Sequence, residues 1–113
     1  NGQTVKIKDV RLMGIQGSYR YKNGEFQSFS QKESIGFLNS KEKVDILVSH
    51  DGPFGINGSN DIVHQGLFGI TYYLYKNKVT YCIHGHMHTP YSKKLLNGTK
   101  VESRYMYNFV QIG

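Results

Sequence analysis

The chain has five histidines in 113 residues, and four of them stand where they can converge. His50 follows the apolar run Val44-Asp-Ile-Leu-Val-Ser49. A second such run, Val79-Thr-Tyr-Cys-Ile83, leads into the series His84-Gly-His-Met-His88. Neutral imidazole is a good ligand for Zn, Mn, Fe, Co and Ni. His86 and His88 flank the single residue Met87 just after a strand, so both rings can turn toward one centre. Gly85 leaves the backbone free to turn without a side-chain clash. His84 ends a buried run and is expected to be structural or to support a ligand rather than bind metal itself. A histidine-rich surface loop is the plain alternative for His-x-His-x-His, and the paired strand-end setting weighs against it.

The elements that must hold these residues are read from periodicity. Thr4 to Ile15 alternates apolar and polar residues around Asp9, which predicts two short strands joined by a tight turn. Gln16 to Gln27 is rich in Gly, Ser, Tyr and Asn and reads as a long surface loop. Ser30-Gln-Lys-Glu33 matches a capping box and opens a short helix to about Asn39, with Ile35 and Leu38 on one face. The β-branched run to Ser49 suits a buried, central strand. Val63, Leu67, Ile70 and Leu74 recur at helical spacing and predict a helix from Ile62 to about Lys76, capped by Asn60 or Asp61. Val79 to Ile83 is the next buried strand. Leu95-Leu96, the Asn97-Gly98 turn and Val101 form a hairpin, and Tyr105 to Ile112 reads as a last strand. The order is that of an α/β fold with an antiparallel finish. In open α/β sheets, ligands sit outside the carboxyl ends of strands. His50 and the later histidines both occupy such places.

Composition narrows the class. A chain of 113 residues suits one domain, and a fold of this size buries roughly two-thirds of its unfolded surface. No apolar run approaches the ~18–20 residues of a membrane span, so no membrane partner is expected. The single cysteine, Cys82, excludes an internal disulfide framework and reads as a buried inert thiol. No signal-like start is seen, so a reducing, cytoplasmic setting is the default. Fourteen Lys and Arg against eight Asp and Glu leave a net charge of +6. That favours an anionic partner such as a phosphate ester, a nucleic acid or an acidic protein surface. The lysines are dispersed and read mostly as solvated surface.

Ser49-His50-Asp-Gly-Pro53, followed by Gly85-His86-Met-His88, resembles the last two motifs of the calcineurin-like metallophosphoesterases. Gly14-Ile-Gln-Gly-Ser-Tyr-Arg-Tyr21 resembles the glycine-serine loop of many bacterial members. Asp61-x-x-His64-x-Gly66 resembles the helix start that follows their His-Gly-Pro loop, and Tyr107-Asn-Phe-Val-Gln-Ile112 resembles their closing strand. The resemblance implies the C-terminal half of an αββα sandwich, an α/β fold with mixed sheets and flanking helices. It implies two divalent metal ions, manganese, zinc or iron, about 3.5–4 Å apart. His50 and His86 would ligate one metal and His88 the other, as the catalytic and metal-binding set. The reaction implied is hydrolysis of a phosphomonoester or phosphodiester, with nucleic acid among the possible substrates.

The first three motifs of that family, Asp-x-His, Gly-Asp-x-x-Asp and Gly-Asn-His-Asp/Glu, are absent from the sequence. Residues 1–113 are therefore read as a single partial domain. Its missing N-terminal half is expected in cis or in trans, and the start at Asn1 rather than Met fits that reading. Three neutral ligands shared by two dications leave them poorly neutralised, so the chain alone is expected to be nearly inactive. Arg20 can meet a substrate phosphate with its planar fork, or be an ordinary surface arginine. His64 can contact substrate, or sit at a helix start on the surface. Asp51 is expected to shape its turn. The rival function is a non-catalytic interaction module on the same scaffold, and a weaker one is a basic nucleic-acid binder.

Overall fold

Apolar and polar residues alternate on both sides of Lys8-Asp9, and the chain folds back there. The structure is a computed structural model that describes residues 2–16, 18–19, 28–56, 66–85 and 91–103. β1 (Thr4–Ile7) and β2 (Val10–Ile15) pair antiparallel, with Ile7 opposite Val10. Lys8 takes a left-handed φ of 55° to close the turn. Inside the stretch read as a long loop, β3 (Ser18–Tyr19) forms and pairs parallel with β4 (Ser28–Phe29), just beyond that stretch. Arg20 lies outside the described residues.

The capping box forms as read. Ser30 Oγ accepts from the Glu33 amide at 3.1 Å, and Glu33 Oε1 accepts from the Ser30 amide at 2.8 Å. Such a cap stabilises a helix by about 1 kcal/mol. It starts α1 (Gln31–Asn39). Then follow β5 (Ile46–Ser49), α2 (Phe68–Asn77), β6 (Tyr81–His84), β7 (Tyr91–Lys94) and β8 (Lys100–Ser103). β7 and β8 form the expected hairpin, with Gly98 at φ 98° in its turn. The last strand read over 105–112 lies outside the described residues.

Among the described residues six strands make one mixed sheet in the order β1-β2-β5-β6-β8-β7. β2, β5, β6 and β8 run parallel, and the two edge strands run antiparallel to their neighbours. The α/β class is thus met by a small mixed domain. Both helical crossovers, β2 to β5 and β5 to β6, step the same way across the sheet. With the right-handedness that such connections keep, α1 and α2 fall on one face. On that face Met13, Leu47, Cys82 and Val101 line up in register across the four parallel strands and are fully buried. Leu38, Ile70, Tyr73 and Leu74 of the helices complete the same core. The opposite face carries no helix among the described residues. Val5 and Ile7 there are 53% and 61% exposed, and Val10 and Val48 are also open.

Two expectations for the helices are corrected. Ile35 is partly exposed, whereas Leu38 is buried as expected and shares the buried face of α1 with Ser34. A small residue is needed at position 34 because α2 crosses there with Gly69 against it. The helix read over 62–76 begins only at Phe68. Gly66 has φ 88° and Leu67 is extended, so neither is helical. Asn60, Asp61 and Val63 lie outside the described residues. The first amides of α2 are satisfied from the other helix. Phe68 N–H donates to Gln31 Oε1 at 2.7 Å, and Gly69 N–H donates to Ser34 Oγ at 2.9 Å. A tertiary cap of this kind satisfies the orphan donors of a helix end without a local Ser or Asp.

The crossing sets a sharp test. A Cβ at Gly69 would lie 2.2 Å from the Ser34 carbonyl oxygen, which is backbone and cannot swing away. Gly69→Ala should gain the helix propensity of alanine, about 1 kcal/mol, and still lose net stability. The expected loss is about 1–3 kcal/mol, read as a lower urea midpoint at unchanged slope.

Candidate functional site at the carboxyl ends of the parallel strands

Parallel pairing in register brings the two motif-bearing strands side by side. Ser49 of β5 is the partner of His84 of β6, so His50 and Gly85 leave the sheet as neighbours. The ladder runs one step past the strands. His50 N–H donates to the Ile15 carbonyl at 3.1 Å, and Gly85 N–H donates to the Ser49 carbonyl at 3.2 Å. A Cβ at Gly85 would stand 3.8 Å from the His50 carbonyl oxygen.

His50 is exposed and, with Gly85, lines a cleft of about 700 Å³. Val5, Gly14 and Val48 supply its floor, which belongs to the sheet face opposite α1 and α2. Gln3 and Gln16 add amide groups at its rim. A Cβ at Gly14 would meet nothing within 4 Å, so this glycine adds open space rather than relieving a clash. The cleft therefore combines an imidazole and backbone polar groups at the strand tips with an apolar base.

Behind the cleft, on the helix-covered face, the core changes character. One row up from Met13, Leu47, Cys82 and Val101 stand Ile15, Ser49, His84 and Ser103. The last three are polar and buried. Polar groups in such a place need hydrogen bonds. The Ser49 hydroxyl donates to the Asp51 carbonyl at 2.7 Å. Asp51 is buried, and its Oδ1 accepts from the Gly52 amide at 2.9 Å. This is the turn-shaping role expected of it.

His84 is 2% exposed. Its Nδ1 lies 2.8 Å from the Gly85 carbonyl oxygen and its Nε2 lies 2.6 Å from the Tyr91 hydroxyl. A carbonyl only accepts, so Nδ1 carries the proton, and in the neutral ring Nε2 accepts from the phenol. Burial, with Cys82 nearby, holds the Tyr91 hydroxyl well above the ordinary phenol range, so it stays a donor. Both ring nitrogens of His84 thus have protein partners, in keeping with the structural role read for it. The same ring packs on the next loop, where a Cβ at Gly52 would approach His84 Cε1 to 2.6 Å.

The turn after His50 is tied to the start of α2. Leu67 N–H donates to the Gly52 carbonyl at 2.9 Å, and Phe54 N–H donates to the Leu67 carbonyl at 3.2 Å. Gly66, at φ 88°, comes so close that a Cβ would lie 2.5 Å from the Gly52 oxygen. Two segments singled out in the sequence, His50 to Pro53 and the one ending in Gly66, are therefore in contact.

Of the expected site residues, His50 is in the cleft. His86, His88, His64 and Arg20 lie outside the described residues. Among the described residues no group of three or more His, Cys, Asp and Glu side chains is gathered to hold a metal. Sequence reading missed Tyr91, and it took in Gly52 only as part of the His50–Pro53 motif. Tyr91 follows Pro90 with nothing local to mark it, because its contact with His84 needs β8 inserted between their strands. Comparison with known proteins finds neither a protein-family model nor a curated protein that matches the chain.

Two outcomes follow from the buried row. Gly52→Ala should destabilise the protein by about 1–3 kcal/mol in urea unfolding, since the His84 ring it would meet is buried and held at both nitrogens. Burial pushes the Cys82 thiol up from 9.0 to about 12, with a Ser49 hydrogen bond offsetting part of the shift. A folded value above the unfolded one favours the native state fully below pH 9, and this contribution fades as pH rises toward 12. Cys82 should thus resist a thiol reagent in the folded chain at pH 8 and react at once in denaturant.

Proposed function

We propose that this chain carries the carboxyl-terminal part of a calcineurin-like metallophosphoesterase site and hydrolyses a phosphomonoester or phosphodiester together with a complementary N-terminal half. The observation that supports it most is the adjacency of His50 and Gly85 at the tips of neighbouring parallel strands. That adjacency is what the ordered pair of motifs requires. The donor set fits in kind: His50 is an exposed imidazole on an open cleft, and Gly85 leads directly into His86 and His88. In this reading His50 and His86 hold one divalent ion and His88 the other, with manganese, zinc or iron as candidates. When bound, such a pair supplies a hydroxide at neutral pH and polarises phosphoryl oxygens.

The chain's own residues contribute position and charge. The 50–53 turn is held by Asp51, by the Leu67 amide and by packing on His84, so the His50 backbone has little freedom. The net charge of +6 favours approach of an anionic ester, nucleic acid included. The sheet face opposite α1 and α2, which carries no helix among the described residues, fits a second layer supplied in cis or in trans, as an αββα sandwich requires. No helix among the described residues is long and apolar enough to cross a membrane. A cytoplasmic setting is part of the proposal.

The exposed valines and isoleucine of that same face also favour a second reading, a non-catalytic interaction module whose partner covers the sheet. Hydrolysis separates the two. The isolated chain should show almost no turnover of an aryl phosphodiester with added manganese. The full gene product should turn it over, and His50→Ala, His86→Ala or His88→Ala should each cut kcat/KM by more than about 100-fold, beyond what supporting residues of a metal site cost. Partner binding that survives these substitutions, with no hydrolysis in the unaltered protein, would favour the module.

A further inference from the structure

We infer that the buried His84–Tyr91 pair is the positioning element of the candidate site, a clamp that fixes both strand-tip turns at once. The pair touches each side of the site. Nδ1 of His84 holds the Gly85 carbonyl at 2.8 Å, at the exit of β6. The face of the ring meets the Gly52 backbone so closely that a methyl group there would reach 2.6 Å from Cε1. Nε2 accepts from Tyr91, the first residue of β7, at 2.6 Å. His84 and Tyr91 bracket the segment that contains His86 and His88, and both are register partners of Ser103 on the strand between them. A small residue at 103 lets the two rings approach, with centroids 5.4 Å apart.

Packing alone does not call for this arrangement. A buried hydroxyl and imidazole each cost free energy unless paired, and an apolar pair of similar shape can serve stability as well. What the polar pair adds is direction. With one nitrogen committed to a carbonyl and the other to a phenol, the ring has one orientation, and the Gly52 turn takes its position from that ring. The consequence for metal binding rests on the reading proposed above. The clamp itself does not.

Tyr91→Phe tests it, because the change removes only the hydroxyl. Amide hydrogen exchange in the whole protein should quicken by at least about tenfold at His50, Gly52 and Gly85, while Leu47 and Cys82 in the strands stay as protected as before. Manganese affinity by calorimetry should weaken about 10–100-fold at unchanged stoichiometry. Unchanged exchange at His50, Gly52 and Gly85 would overturn the clamp. So would a uniform rise that includes Leu47 and Cys82, since it would mean general loss of core stability. Faster exchange at the turns, in a protein that binds no manganese in either form, would leave the clamp standing and remove the metallophosphoesterase reading. Should the variant not fold, the imidazole nitrogen spectrum of the unaltered protein decides. The proton on Nδ1 of His84 is expected, and a proton on Nε2 alone would overturn the inference.

Discussion

The in-register parallel pairing of β5 with β6 is the constraint on which the rest of the structure depends. Side chains alternate along a strand, so a slip of β6 by one residue against β5 would send Cys82 out of the core and turn His84 away from Ser49. Leu47 opposite Cys82 pins the register through burial. Ser49 opposite His84 then follows, and so does the contact of His50 with Gly85. The apolar half of each strand thus decides where the polar tips come out.

The change along the helix-covered face is the second organising feature. One row is wholly apolar, and the next carries serine, histidine and serine. Buried polar groups hold structure only when their partners are present, and for Ser49 and His84 those partners are backbone atoms of the adjoining turns and a tyrosine from the hairpin. The core therefore does more than exclude water near its upper edge. It reaches into the strand-tip turns and holds them through hydrogen bonds with fixed direction.

Helix placement explains the asymmetry of the sheet. Two crossovers of one hand, stepping in one direction, put both helices on one face and leave the other without a helix among the described residues. The covered face is drawn tight by Gly69, whose lack of a side chain lets α2 lie on the α1 backbone. Close approach also lets Gln31 and Ser34 cap α2, so the contact between the helices and the start of the second helix are one event. The open face forms the floor of the cleft, and the proposed second layer would lie against it.

Much of this was legible in the residues themselves. The Lys8-Asp9 turn, the Ser30–Glu33 cap, the two buried strands and the Asn97-Gly98 hairpin rest on patterns that a few neighbouring residues complete, so the sequence alone determined them. The resemblance to a phosphoesterase half also rests on sequence, and only His50 of its ligand set falls within the described structure. The start of α2, the partners of His84 and the placing of both described helices on one face of the sheet were decided by the tertiary structure. Each joins residues far apart in the chain: Gln31 with Phe68, Gly52 with His84, His84 with Tyr91 across β8. Periodicity records which side of an element is apolar, because that is a property of near neighbours. It carries no information on which distant group will satisfy a given amide or imidazole, and that is settled only when the elements pack.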